Sequence, residues 1–218
     1  MNVFNDQPST LTLTTPKGST TGTTIAILLE ELHLPYHLHF NIAQTTLTDI
    51  HRTGHSTTLD TFDSITSYLL TQYDESHRFS YPAGSPECAA VRERVQMLMV
   101  RMGGHHSRSH SLAHSHSEDG QNDGGDGNGS EESIPSVRKI LSLYLHLEEY
   151  LQKTRKRYLV GEKCTLADFA HFPYVAAAGV YGLDLERFPE LTAWYDRLAR
   201  QGAVRKGMEA VGLRVDSS

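Results

Sequence analysis

In RYLVGEKCTLADFAHFPYV, residues 157–175, a polar turn runs into an apolar helix through a Thr-x-x-Asp step. Thr165 and Asp168 have the spacing of a capping box, in which the hydroxyl accepts from the Asp168 amide and the carboxylate reaches back to the Thr165 amide. Cys164 and Phe169 are placed for the accompanying hydrophobic staple. The helix carries a Phe-Pro pair at 172–173. It is followed by PELTAWYDRLAR (189–200) and a last short helical pattern near AVRKGMEAV (203–211). A capping box alone is common, but one set within successive helical patterns indicates an all-α region.

Towards the N-terminus the helical period continues. PSVRKILSLYLHLEEYLQKTRKR (135–157) places Val137, Ile140, Leu141, Tyr144, Leu147 and Leu151 on one stripe. SPECAAVRERVQMLMVRM (85–102) has Ser85 as cap, Pro86 at the first helical position, and Val91, Val95, Leu98 and Met102 as its stripe. Between them, residues 103–133 are rich in Gly, Ser, His and acid and nearly devoid of apolar side chains. Such a stretch cannot offset its ordering entropy and is expected to be a mobile insertion.

The first eighty residues read differently. LTLTT (11–15) alternates as a short strand, PKGSTTG (16–22) is a Gly/Ser/Thr loop, and TTIAILLEELHL (23–34) carries Ile25, Leu28, Leu29 and Leu32 at helical spacing. PYHLHFNI (35–42) alternates again, with Leu38, Phe40 and Ile42 on one face. Strand, helix, strand within about thirty residues is a βαβ unit. In TTLDTFDSITSYLL (57–70) a third strand near Ser56–Leu59 gives way to a helix from Ser64, with Asp63-Ser64 at its start. Ser and Asp are ordinary capping residues; an acid, a hydroxyl and first-turn amides also suit a ligand.

Composition narrows the class. The 218 residues suffice for a real core, 38% of them are hydrophobic, and the formal charge is −6. That balance gives no pull towards nucleic acid or anionic lipid, and no apolar run suggests a membrane span or secretory signal. Cys88 and Cys164 are too few for a disulfide framework and are not spaced as a redox or zinc pair. A reducing, cytoplasmic location with no nucleic-acid and no membrane partner is expected.

The stretch 157–175, taken with GLDLERFPELTAWYDRLARQGAVRKG (182–207), resembles the C-terminal helical domain of glutathione transferases. TIAILLEELHLPY, FSYPAGSPE, MGG and SIP resemble the fungal branch related to the yeast nitrogen-regulator prion protein. The likeness covers residues 11–102 and 133–212. It implies an α+β two-domain fold: a truncated thioredoxin-like N-terminal domain (1–80) and an all-α C-terminal domain (85–218) carrying the insertion at about 103–133. It further implies glutathione as cosubstrate or catalyst, an electrophilic small-molecule substrate, and a homodimer.

Glutathione chemistry needs a grip on the γ-glutamyl end, a strand that pairs with the cysteinyl backbone, and a donor that stabilises the thiolate. A thiol with a free pKa of about 8.5 is mostly protonated at neutral pH, so one hydrogen bond to sulfur matters. By resemblance, Asp63 takes the γ-glutamyl ammonium, and the Ser64 hydroxyl with the helix amides takes its carboxylate. Gly22 matches a family glycine, and Thr21 falls on the asparagine this branch uses near sulfur; Ser19 and Thr20 are its neighbouring substitutes. The alternative for this loop is a plain polar turn. Ser56 and Thr57 match the strand facing the cysteinyl unit, Thr57 standing where a cis-proline normally sits. A cis non-proline bond costs ~2.5–4 kcal/mol, so Thr57 is expected trans. AQTTLTDI (43–50) is shorter than its family counterpart and lacks Lys, Arg and His, the usual partners of the glycyl carboxylate. The family's last hairpin is expected to be nearly absent between Leu59 and Phe62.

His105, His106, His110, His114 and His116 form the rival constellation. Spacings of four suit metal ligands on a helix face. No Cys or fixed acid completes a geometry, and no metal centre is expected there. Three functions therefore stand. The first is a glutathione-dependent enzyme whose thiolate adds to an activated alkene, giving a conjugate, or a cis/trans isomer if the thiolate is then expelled. The replaced segment after residue 102 points it to a polyketide-type secondary metabolite, by analogy with transferase-like proteins of polyketide clusters such as the pseurotin cluster. The second is a non-catalytic binding or regulatory protein of the same fold, and the third is a metal-responsive module built on the histidines.

Overall fold

A computed structural model describes residues 10–51, 55–102, 137–177 and 182–213. The histidine cluster at 105–116 lies outside these residues. Strand β1 (Thr10–Pro16) leads into α1 (Thr20–Glu31) and β2 (Tyr36–Asn41), followed by β3 (Thr46–Ile50), β4 (Ser56–Leu59) and α2 (Phe62–Tyr73). Five helices follow: α3 (Pro86–Met102), α4 (Val137–Thr154), α5 (Leu166–Ala176), α6 (Pro189–Ala199) and α7 (Gly202–Val211), with a 3-10 turn at Leu185–Arg187. The proposed division after residue 80 falls in the turn between α2 and α3.

The sheet has the order β2-β1-β3-β4. β1 runs parallel to β2, as a helical crossover requires, and antiparallel to β3, which pairs with β4 as a hairpin. This corrects one expectation. The hairpin is present, formed by 46–59 rather than lost between Leu59 and Phe62. What is short is the passage from β2 to β3, four residues from Ile42 to Thr45. β3 carries a weak strand signal, because its inward positions are Leu47 and then Asp49, a carboxylate where alternation demands an apolar side chain. β2 is an edge strand, and Phe40 near its end and Ile42 just beyond it are exposed rather than seated on an apolar face.

Two helix starts also differ. α1 begins at Thr20, so the first turn of the helix absorbs half of the expected loop, with Ser19 as N-cap. α2 begins at Phe62 under Thr61, not at Ser64. The starts of α3 and α5 agree with expectation: the Cys88 amide donates to Ser85 Oγ at 3.1 Å, and Asp168 closes a capping box under Thr165. The core stripes of α3 are buried as read. On α4, Leu143 is buried where Leu141 had been expected, and Val137 is exposed.

Helix α1 is the hub, covering the sheet on one side and packing on α5 and α7 on the other. Gly207 makes the second contact possible: a Cβ there would lie 2.6 Å from the Ile27 amide nitrogen and 2.7 Å from its Cα. Gly18, at φ +78°, turns the chain so that its amide donates to Val211 O at 2.8 Å, tying the β1–α1 turn to the end of α7. Gly207→Ala should gain up to about 1 kcal/mol of helix propensity and lose about 1–3 kcal/mol to overpacking. A lower melting temperature is therefore expected. A rise on calorimetry would mean that α7 stands off from α1.

Pro173 lies within α5 and cannot donate to Phe169 O. The Thr24 hydroxyl of α1 reaches that carbonyl at 3.4 Å, and Tyr144 OH donates to Val175 O at 2.7 Å in the next turn. The Phe-Pro step read from the sequence is thus satisfied from two neighbouring helices.

Candidate functional site

Four segments converge at one end of the sheet. β1 ends at Pro16 and turns into the N-terminus of α1; β3 begins beside it, Thr46 opposite Thr14. β4 runs back to the same end, Leu59 opposite Leu47, and Asp60 and Thr61 carry it into the N-terminus of α2. Two helix N-termini therefore open at one edge, each presenting first-turn amides and the positive end of a helix dipole. Such an edge suits carboxylates and a thiolate.

On the α1 side the polar side chains are mostly spoken for. Ser19 is buried and accepts from the Gly22 amide at 3.1 Å. The Thr20 hydroxyl donates to Tyr174 OH at 3.0 Å, while Thr23 and Thr24 donate back to the carbonyls of Ser19 and Thr20 at 2.7 and 3.0 Å. Thr21 is half-buried, and its hydroxyl makes no hydrogen bond to any described residue. Gly22 is needed at its place because a Cβ would sit 2.1 Å from Thr15 Oγ1. That buried hydroxyl is bonded in turn to Thr45 Oγ1 at 2.8 Å, which fixes the start of β3 against β1.

On the α2 side Thr61 and Ser64 form a reciprocal capping box. The Ser64 amide donates to Thr61 Oγ1 at 3.2 Å, the Thr61 amide to Ser64 Oγ at 3.3 Å, and Ser64 Oγ to Thr61 O at 2.9 Å. Ser64 is thus third in the helix and part of its cap. Asp63 is exposed beside it, with no partner for its carboxylate among the described residues.

The structure brings Asp63 and Ser64 to the same end as Ser19, Thr20 and Thr21, and does not bring Ser56 and Thr57 there. Those two begin β4, opposite Ile50 and Asp49, level with the start of β1. The physical reason is register: 56–59 is the outer strand of the hairpin, and the strand beside β1 is 46–50. Thr45 and Thr46 occupy the place beside β1 that Ser56 and Thr57 had been expected to take. Thr57 is trans, as are all described peptide bonds. Sequence reasoning also missed Tyr174. It lies on α5, and only the packing of α5 on α1 brings it to Thr20.

Cys164 does not compete for the chemistry. Burial, with Asp168 nearby, pushes the Cys164 thiol well above its usual range, so it is a poor thiolate at neutral pH. Among the described residues no helix is long and apolar enough to cross a membrane.

Residues 96–201 match the C-terminal domain of the glutathione S-transferases. Among curated proteins, the glutathione S-transferase-like protein tpcF of Aspergillus fumigatus is 26% identical, over 88% of this chain and 92% of its own. Among solved structures, Phanerochaete chrysosporium URE2P6 in its apo form superposes with a TM-score of 0.67 at 24% identity, over 93% of this chain and 98% of that one. A glutathione transferase homologue from Lodderomyces elongisporus, crystallised with two GSH per subunit, gives 0.66 at 23% identity, over 93% and 98%. The fold is that of the glutathione transferases, a small mixed sheet of thioredoxin type packed on helices.

Proposed function

We propose that the chain is a member of the glutathione S-transferase superfamily, as the match of its C-terminal domain and its fold support, and that it uses glutathione as a nucleophile against an electrophilic small molecule. The observation that carries this reading is the convergence of two helix N-termini with the start of β3 at one sheet edge, Thr21 standing in it with an uncommitted hydroxyl. Asp63 takes the γ-glutamyl ammonium, and the first-turn amides of α2 take the adjacent carboxylate, joined by the Ser64 hydroxyl when its proton turns from Thr61 O to the ligand. Thr45 and Thr46 flank the cysteinyl backbone, and Thr21 donates to sulfur. The thiolate adds to an activated alkene; the adduct is released as a conjugate or, after rotation about the former double bond, expels the thiolate and leaves the other geometric isomer. The substrate is of polyketide type in this reading, the protein cytoplasmic and homodimeric; sedimentation tests the assembly.

Isothermal titration with glutathione is the first test. Binding is expected, and its absence at millimolar ligand would overturn the proposal. One feature favours the non-catalytic alternative: the β2–β3 passage offers no basic side chain to the glycyl carboxylate. The site variants separate the two. Ser64→Ala should weaken binding about ten- to hundred-fold, the worth of a charge-assisted hydrogen bond, while losing only about 1 kcal/mol of cap stability. Thr21→Val should raise the bound thiol's pKa by about one unit and move the activity profile upward with it, about 1.4 kcal/mol of thiolate stabilisation. Ser19→Ala and Thr20→Val belong in the same series. If none of the three moves the thiolate absorbance while glutathione still binds, the sulfur is not activated and the binding-protein reading stands.

A further inference from the structure

Away from that edge, between β3 and α2, a second set of polar side chains converges. Tyr68 OH donates to Asp49 Oδ2 at 2.8 Å, and Tyr73 OH donates to the same oxygen at 2.6 Å. His51 Nε2 lies 3.3 Å from Tyr68 OH. Asp49 is 1% exposed, and its other oxygen, Oδ1, is buried without a hydrogen-bond partner. A buried acceptor left bare costs about 1–3 kcal/mol, more when it belongs to a charged group, and a cation seated within reach of Oδ1 as well as Oδ2 would relieve it.

We propose that Asp49, His51, Tyr68 and Tyr73 form a binding site for a hard trivalent cation, ferric iron being the redox-active example. Three arguments carry it. The first is spacing. Oxygen and nitrogen ligands about 2.0–2.2 Å from a metal and at right angles lie about 2.8–3.1 Å apart, and the three contacts here scatter around that value. The second is charge. One carboxylate and two phenolates sum to −3, His51 enters as neutral imidazole, and a trivalent ion makes the site neutral. A divalent ion would be neutralised by the carboxylate and one phenolate, leaving the second phenol protonated and a weak ligand, so only a trivalent ion draws on both phenols. Binding releases the two phenol protons to solvent, forms two metal–phenolate bonds, one carboxylate bond and one imidazole bond, and changes no oxidation state. The third is donor type: anionic oxygens with one imidazole suit a hard ion rather than a thiophilic one. Asp49 is fully interior, whereas His51, Tyr68 and Tyr73 are half-buried, so the cluster is reached from the surface on the side of these three. Among the described residues no three His, Cys, Asp or Glu side chains converge as a metal site, so the two phenols are what completes this set.

The test is titration of the full chain with ferric nitrilotriacetate. One equivalent should bind and produce a visible phenolate-to-iron charge-transfer band, with tyrosinate ring modes in the resonance Raman spectrum. Tyr68→Phe and Tyr73→Phe, which keep the ring and remove the ligand, should each shift the band and weaken binding at least tenfold; Asp49→Asn should abolish it. Replacing His105, His106, His110, His114 and His116 with Ala together should leave the band unchanged. Colourless gallium(III) should compete with iron, and zinc should not. A wild-type chain that stays colourless, a band that survives the double Tyr→Phe change, one that vanishes with the five histidines, or displacement by zinc at equal concentration would each overturn the proposal. The Raman and competition measurements need no variant, so they decide the matter even if a substituted chain fails to fold.

Discussion

Asp168→Ala is expected to cost at least about 3–5 kcal/mol and to lower the melting temperature by roughly 6–20 °C. A capping box alone would predict only ~0.5–2 kcal/mol. The larger figure follows from the load on this one carboxylate. Oδ1 accepts from the Leu159 amide and from Trp194 Nε1, both at 2.9 Å, while Oδ2 accepts from the Thr165 amide at 2.9 Å and the Thr165 hydroxyl at 3.2 Å. Burial raises the carboxyl above the usual carboxylate range, and these four donors pull it back. Truncation would leave buried N–H groups on the 157–160 turn, the α5 cap and the indole of α6 without an acceptor. Asp168→Asn, which keeps one carbonyl oxygen and brings an amide into the other place, should fall between wild type and Ala. Thermal scans of the three chains check the order. A loss of under about 2 °C in the alanine variant would show that the carboxylate does not hold these segments together.

Acid should destabilise the protein well before most carboxylates titrate. His171 is buried in α5, its Nδ1–H donating to Ala167 O at 2.7 Å, and burial lowers its pKa to about 4, with Arg94, His146 and Arg101 adding repulsion. An unfolded histidine titrates near 6.5. Between those values the unfolded chain holds a proton that the folded chain refuses. Stability is therefore intact above about pH 6.5 and is lost as the pH falls towards about 4, by up to about 3 kcal/mol. Asp168, whose folded pKa is raised, gives the opposite slope lower in the range, so the comparison must be with a chain that lacks only the imidazole. His171→Gln keeps a donor for Ala167 O and cannot charge. Urea midpoints at pH 7.5 and pH 5 should separate more widely for wild type than for this variant. Equal separations would mean that His171 is not the acid-sensitive group.

The helical half was legible because its signals are local. Ser85-Pro86, Thr165-x-x-Asp168 and the stripes at Val91–Met102 each specify a helix within one or two turns. The sheet was harder. β3 has a single inward apolar residue, Leu47, and its inward acid is stabilised by two tyrosines that follow it by nineteen and twenty-four positions, which no local pattern reveals. Without β3, the strand at 56–59 reads as the neighbour of β1, which puts Ser56 and Thr57 at the place beside β1 that Thr45 and Thr46 hold. Asp63 and Ser64 were readable as a helix start, but the cap itself, Thr61, was hidden because three adjacent residues could all cap. Tyr174 could not be read at all, since its meeting with Thr20 depends on how α5 lies against α1.

The clasp between α1 and α7 has a consequence for how the chain comes to be folded. Gly207 rests on the backbone of Ile27, and Val211 receives the amide of Gly18, so the segment that opens the sheet is completed by a helix synthesised long after it. During translation the apolar outer face of α1 must wait, uncovered, until all of the chain from β2 through α7 has left the ribosome. Closing contacts between such distant positions is slow, and the uncovered surface is open to aggregation meanwhile. Nascent chains arrested before α7 should accordingly recruit chaperones more heavily than those arrested after it.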